Sequence, residues 1–423
     1  MATTTEVQQD AEKRPSLGPL KLPAAFRSLA HRGFRFMWFG QVGSATAMHA
    51  DMVARGVLVW ELTGSSVAVG GVLGARAIPM LTVGMFGGVA ADRFDRKKLL
   101  MFIQTWSLLM HIIMAALILT GAVQLWHVYV IAVGLGASMA LNQPVRTSII
   151  PNLVPRNEMT NALTLNSIAV NSTRLIGPAI IAAVIGVTNT GYAYVLSAVA
   201  FVIVIWMTSK IEMPPAQGRG SKGSPIGQLL EGFRFMGSNR LVLALVLLGM
   251  GPLAIGFAYQ TLLPQLVDEM GYDASMIGYI MSVGAIGGLA GGFTIASKRD
   301  ISSKGKIMLL SAVSYGVALA GFAGAAEIGL LLLVFPLIIV IGVSQTTFRA
   351  MNTTLLVETT PDHLRGRVVS VTLLDTGMMP AAALVAGYFA DKWGVSSGFA
   401  TLATGCFVII GLVLLVYPKI RAQ

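Results

Sequence analysis

The sequence predicts an all-α integral membrane protein, twelve transmembrane helices arranged as two pseudo-symmetric six-helix bundles. Three observations predict it. Over 423 residues the chain is 55% hydrophobic and only 12% charged, whereas ordinary globular domains run about 45–50% apolar and about 25% charged. With a mean hydropathy of +0.73, so much apolar surface cannot be buried in one water-facing core, which excludes a soluble enzyme. Twelve windows are apolar over the roughly 20 residues needed to cross a hydrocarbon core of about 30 Å. Basic residues sort to alternate loops, which twelve unrelated apolar stretches would not do.

The spans are expected near 36–60, 67–91, 98–120, 124–149, 162–187, 190–208, 241–264, 275–297, 306–326, 328–356, 368–390 and 397–418. Arg93, Arg96, Lys97 and Lys98 follow span two, Arg156 follows span four, and Lys210, Arg219, Lys222, Arg234 and Arg240 follow span six. Lys298, Arg299, Lys304 and Lys306 follow span eight, and Arg365 and Arg367 follow span ten. The opposite loops, 61–66, 121–123, 188–189, 265–274 and 327, have no Lys or Arg, and only Lys392 follows span eleven. Positive residues stay on the cytoplasmic side, so both termini are expected inside. The formal net charge of +11 then belongs to the membrane surface, and no nucleic-acid partner is expected. The polar stretch before Phe36 is mixed in charge and lacks a small-residue cleavage pattern, so no cleaved signal peptide is expected.

The chain divides at 209–240, where Pro214, Pro215, Gly218, Gly220 and Gly223 precede the amphipathic run 226–236. This reads as a cytoplasmic linker with a surface helix. On that division 1–35 is an N-terminal tail, 36–208 and 241–418 are the two bundles, and 419–423 is a short cytoplasmic tail. Gly87-Gly88 recurs as Gly291-Gly292 and Pro155 as Pro361, at offsets of 204 and 206. Such echoes fit two parallel repeats related by an axis along the membrane normal.

Cys406 is the single cysteine and the five histidines are scattered, so neither a disulfide nor a metal cluster is expected. No Gly-x-x-x-x-Gly-Lys-Ser/Thr motif occurs, which argues against direct ATP hydrolysis. The chemistry lies instead in charges within the spans, each costing about 2.5–3.5 kcal/mol at a helix centre and so expected to face a cavity or another charge. Asp51 and Arg55, four apart, share one face of span one. They either neutralise each other or form a coupling site, since burial and the Arg55 charge act on the Asp51 carboxyl in opposite senses. Arg76 and Arg174 fall near mid-depth, and Arg146 is shallower, able either to snorkel to the headgroups or to face a cavity. Arg349 and Asp375 both lie roughly 10–12 Å deep by helical rise, and an Arg349–Asp375 ion pair is expected near the inner gate. Tyr259 and Gln260 beside Gly256 offer a polar handle in span seven, and the 22 methionines, with Trp38 and Phe257, suit an adaptable cavity.

The run Gly88-Val-Ala-Ala-Asp92-Arg93-Phe94-Asp95-Arg96-Lys97-Lys98 resembles the Gly-x-x-x-Asp-Arg-x-Gly-Arg-Arg loop of the major facilitator superfamily. It departs at Asp95, where the superfamily usually has Gly. The form Asp-Arg-x-Asp-Arg is similar to the branch of macrolide-efflux proteins and enterobactin exporters. Leu62-Thr63-Gly64-Ser65-Ser66, Arg365-Gly366-Arg367-Val368 and Gly387-Tyr388-Phe389-Ala390-Asp391-Lys392 resemble the same branch. Gly177-Pro178 resembles the core of the antiporter motif, but Ile181 and Ala182 stand where small Gly is usual. The second-half copy of the loop, 292–299, lacks the acidic residue.

The resemblance implies a secondary active exporter of a small amphipathic molecule of the drug, macrolide or siderophore class, working by proton antiport with alternating access in a bacterial inner membrane. Gly88, Asp92, Arg93, Arg96 and Lys97 would be its gating motif. Asp92 would accept hydrogen bonds from the start of span eleven at 366–369 and so favour the outward-open state; the basic residues would otherwise only set topology. Substrate, protons and membrane lipids are the expected partners of a monomer that needs no cofactor beyond the proton gradient. Movement of lysophospholipid or another lipid, and a non-transporting sensor or scaffold, are the alternatives.

Overall fold

A computed structural model describes residues 24–84, 94–212, 234–297, 301, 303–361, 364, 368 and 374–418. Every regular element among them is helical, and a helix stands in each of the twelve expected places. Spans one to six are Arg32–Thr63, Ser66–Thr82, Arg96–Leu119, Leu125–Ile149, Met159–Val187 and Thr190–Ser209. Span seven is segmented: an α-helix Arg240–Gly249, a π-helical stretch Met250–Ile255, a 3₁₀ stretch Gly256–Thr261 and a short helix Leu263–Glu269. Spans eight to twelve are Ser275–Ala296, Lys304–Glu327, Leu331–Thr359, Leu374–Trp393 and Val395–Val416. Nine of these are long and apolar enough, among the described residues, to cross a membrane by composition alone. Of the other three, span one carries Asp51 and Arg55, and span two carries Arg76 and is described over 17 residues. Span eleven carries Asp375, Asp391 and Lys392.

The helix ends follow from local chemistry. Asp95 has φ −58° and its side chain accepts the Lys98 N–H, so it caps span three. The turn therefore needs no positive φ, and a capping carboxylate at a helix N-terminus replaces the usual glycine to advantage. Asn189 and Asn239 cap the starts of span six and span seven in the same way. Gly64, at φ 58°, ends span one in the left-handed conformation.

In the first half, span one packs on five and six, two on four, and three on four and six. Adding six to each label gives the second half: seven on eleven and twelve, eight on ten, nine on ten and twelve. The halves meet where span two packs on eleven and span five on eight, and the same shift exchanges these two contacts. That is the pseudo-two-fold architecture of the major facilitator fold. Both crossings are close. A Cβ on Gly387 would lie 2.8 Å from the Ser66 backbone, and one on Gly278 would lie 2.4 Å from the Ala182 side chain. Val202, Leu310 and Leu412 project from the bundles, as side chains facing hydrocarbon must.

Candidate functional site

Between the halves lies a cavity of about 960 Å³. It runs from Met52 and Gln260 at mid-depth to Phe293 and Ala296 at the end of span eight, the end that carries the basic loops. Met48, Met52, Met80, Met139, Met281 and Met379 make much of its apolar wall, a pliable surface for a bulky ligand. Of the cavity candidates read from the sequence, Arg76, Arg174, Tyr259 and Gln260 line it, and so do Arg349, His49 and Gln345. Gln260 Oε1 and Gln345 Nε2 are buried with no hydrogen-bond partner among the described residues, one acceptor and one donor left for a ligand or water.

Behind this wall the Asp51–Arg55 pair forms as the four-residue spacing requires. It is joined by Arg76, whose Nη1 donates to Asp51 Oδ2 at 3.3 Å. Asp51, Arg55 and Arg76 are 3%, 6% and 9% exposed, so one buried carboxylate serves two buried guanidiniums from two helices. Arg76 has its other terminal nitrogen 3.2 Å from the Met139 sulfur, a weak acceptor. A separate void of about 50 Å³ touches Arg55, Arg76, Gln260 and Thr261, large enough for water beside the cluster.

Arg174 enters the cavity from span five, one turn before Gly177-Pro178, and its charged neighbour is Arg349 on span ten. Gly177 lets the span five backbone approach that of span one: a Cβ there would lie 2.9 Å from the Thr46 carbonyl. Arg349 lines the cavity and is engaged, whereas the Asp375 side chain proposed to pair with it lies outside the described residues, as do Gly88, Asp92, Arg93 and most of 366–369.

Arg146 requires a correction. It neither snorkels nor lines the cavity; it is fully buried, with Nη1 donating to the Met37 carbonyl, Nη2 to Ser44 Oγ and Nε to Asn142 Oδ1. Its face of span four turns toward span one, and these three hydrogen bonds satisfy it there without headgroups. Arg96 and Lys97 likewise bond within the first half. Arg96 donates to the Ser148 carbonyl at 2.9 Å and Lys97 to the Ser209 carbonyl at 2.8 Å, where a cation complements a helix C-terminus.

The end poor in Lys and Arg holds the contact that sequence reasoning missed. Asp391, at the end of span eleven, accepts the backbone N–H of Ser66 at 2.7 Å and of Val67 at 3.2 Å, and the Ser65 hydroxyl. It thus caps the N-terminus of span two across the two halves. Ser66 Oγ donates to Gln265 Oε1, Gln265 Nε2 donates to Glu269 and to the Ala390 carbonyl, and Glu269 accepts the Val395 N–H. Ser282 on span eight donates to the Leu175 carbonyl of span five at 3.1 Å, closing the other crossing. The signal was present: Gly387-x-x-x-Asp391-Lys392 repeats the spacing of Gly88-x-x-x-Asp92-Arg93, at the opposite end of a pseudo-symmetric fold.

A helical protein with two six-helix repeats, a deep central cavity and one end sealed by helix caps is a major facilitator transporter, not an enzyme. The chain belongs to the transmembrane secretion effector family, whose family model matches residues 23–423. It is 27% identical over 410 residues to an enterobactin exporter of Escherichia coli O139:H28, covering 96% of this chain and 95% of that one. It is 25% identical over 352 residues to a staphyloferrin A transporter of Staphylococcus aureus, covering 82% and 87%. In fold it is similar to the nucleoside transporter NupG, with a TM-score of 0.75, 13% identity and coverage of 91% and 98%. It is also similar to an inward-facing, occupied bacterial homologue of the lysosomal transporter Spinster, with a TM-score of 0.71, 14% identity and coverage of 95% and 100%.

Proposed function

We propose that this protein exports a small amphipathic molecule of the siderophore class from a bacterial cytoplasm, exchanging it for protons by alternating access. The observation that carries the reading is the cavity between the halves, closed at the Lys- and Arg-poor end by Asp391 and running toward the basic end. With the basic loops in the cytoplasm, both termini are inside and the conformation is inward-facing, ready to load. The relatives that transport enterobactin and staphyloferrin A support the substrate class.

In this mechanism the substrate enters from the cytoplasm, the Asp391 cap breaks, and the halves rock about the crossings of spans two with eleven and five with eight. Asp51 is the carboxylate we assign to proton exchange. It takes up a proton from outside and releases it inside, and its bond to the cavity-lining Arg76 links its charge state to cavity occupancy. The unit of transport is a monomer, the gradient replaces any cofactor, and Asp92 would seal the cytoplasmic end in the outward-facing state.

The test is uptake into inside-out vesicles from cells with and without the protein, using a catecholate siderophore, a citrate-based siderophore, a macrolide and a lysophospholipid. Uptake of a siderophore that collapses with the proton gradient supports the reading. Movement of the lysophospholipid alone, or of nothing, contradicts it.

A further inference from the structure

We propose that the cavity has a second mouth, a slot between spans five and eight that opens sideways onto lipid, and that an acyl chain of bilayer phospholipid enters it there. The orientation proposed above makes this the inner leaflet; the slot itself does not depend on that reading. The two seams between the halves differ. Spans two and eleven stay in contact along their described length: a Cβ on Gly387 would lie 2.8 Å from the Ser66 backbone, one on Gly70 3.0 Å from Ala383, one on Gly74 3.4 Å from Pro380 and one on Gly377 3.1 Å from Leu81. On the other seam Gly186 meets Ser275, Ala182 meets Gly278, and Ser282 bonds the Leu175 carbonyl. Four- and seven-residue steps carry the same two helix faces onward to Ile168 on span five and to Leu289 and Phe293 on span eight. There the faces part: all three side chains line the cavity and are 47%, 45% and 78% exposed.

The rim has the chemistry of a surface facing hydrocarbon. Leu289 and Phe293 stand about 10 and 5 Å, by helical rise, from the end of span eight at Ala296, level with one leaflet of a hydrocarbon core about 30 Å thick. Neither 161–173 of span five nor 282–297 of span eight contains an acidic or basic residue. The exposed hydroxyls beside the slot turn back on their own helices, Ser167 donating to the Leu163 carbonyl at 3.1 Å and Thr294 to the Ala290 carbonyl at 2.8 Å, as donors must where no water can serve them. Exposed Leu163 and Ile286 continue the apolar surface outside. Such a slot admits a chain and not a headgroup, and inside it the chain meets Met281 and the rest of the methionine wall. A ligand with an apolar part can then load from the leaflet, that part replacing the chain while its polar groups reach Gln260 and Gln345.

The test uses the full-length wild-type protein without ligand, in vesicles of phosphatidylethanolamine and phosphatidylglycerol doped with a phospholipid that carries a photoactivated diazirine at mid-chain. After irradiation, mass spectrometry locates the adducts. They are expected on Met281 and Ala285, which line the cavity behind the slot, as well as on the outer faces at Leu163 and Ile286; adducts on outer faces alone overturn the proposal. A second measurement places bimane on Ala285→Cys or on Met80→Cys, which lines the same cavity beside the closed seam, the buried native Cys406 staying unlabelled. Replacing plain lipid by lipid brominated along its acyl chains should cost the Ala285 position its emission and leave the Met80 position bright. Equal loss at both positions, or at neither, also overturns the proposal. Cavity adducts without uptake of any siderophore would uphold the slot and defeat the export reading, whereas siderophore uptake without a cavity adduct would do the reverse.

Discussion

The Asp391 carboxylate caps the N-terminus of span two, accepting the Ser66 N–H at 2.7 Å from the far end of span eleven in the other half of the molecule. A single side chain therefore stitches the two repeats together where the cavity ends. Replacing it by Ala removes charge-assisted hydrogen bonds worth roughly 1–2 kcal/mol at this partly exposed site, a factor of about 5–30 in the closed population. A cysteine placed at Val69, which is 7% exposed one turn inside the seal, should become reactive to a membrane-impermeant maleimide in Asp391→Ala. Native Cys406 is buried, so it stays silent. Unchanged labelling would remove Asp391 from the gate.

Gly278→Leu should act at the second crossing. Its side chain would occupy space filled by Ala182 and the Pro178 carbonyl, 2.4 and 2.5 Å from where a Cβ would stand. The closed end cannot then form, and the same Val69 probe should react while vesicle transport falls by at least about ten-fold, against a cost of roughly 1–3 kcal/mol for overpacking.

Asp51→Asn leaves Arg55 and Arg76 buried without their carboxylate. Thermal unfolding should show a loss of about 3–5 kcal/mol, the usual result of removing one partner of a buried ion pair. Asp51→Leu with Arg55→Met should recover part of that stability yet still lack proton-coupled flux. A double variant that regains both would make the cluster purely structural.

Arg146→Leu removes the donors to the Met37 carbonyl, Ser44 Oγ and Asn142 Oδ1 inside the first half. We expect about 2–4 kcal/mol of destabilisation with KM unchanged per folded molecule. A KM shift at equal folded content would return Arg146 to the cavity.

Much of this was legible before any coordinates. Span positions and loop charge follow from the cost of putting polar backbone and Lys or Arg into hydrocarbon, which operates residue by residue. The Asp51–Arg55 pair follows from helical spacing. Arg76 could not be joined to it by sequence, because that bond depends on how spans one and two pack. Arg146 shows the limit of depth arguments: depth is read from position in a span, but satisfaction depends on which face turns inward. Asp391 was within reach, since its motif repeats that of Asp92, yet its partner, the start of span two 325 positions away, where Ser65 caps only the Ala68 N–H, carries no mark in the sequence beyond Ser65 and Ser66.

In the proposed mechanism the two halves rock about the described crossings, and loading drives the change. Leu62 and Trp393, 38% and 57% exposed on opposite halves at the sealed end, can be replaced by spin-labelled cysteines and their separation measured in lipid vesicles by pulsed dipolar spectroscopy. One short distance is expected without ligand, and growth of a longer population when a catecholate siderophore and an inward proton gradient are supplied. A single distance that neither ligand nor gradient changes would contradict it.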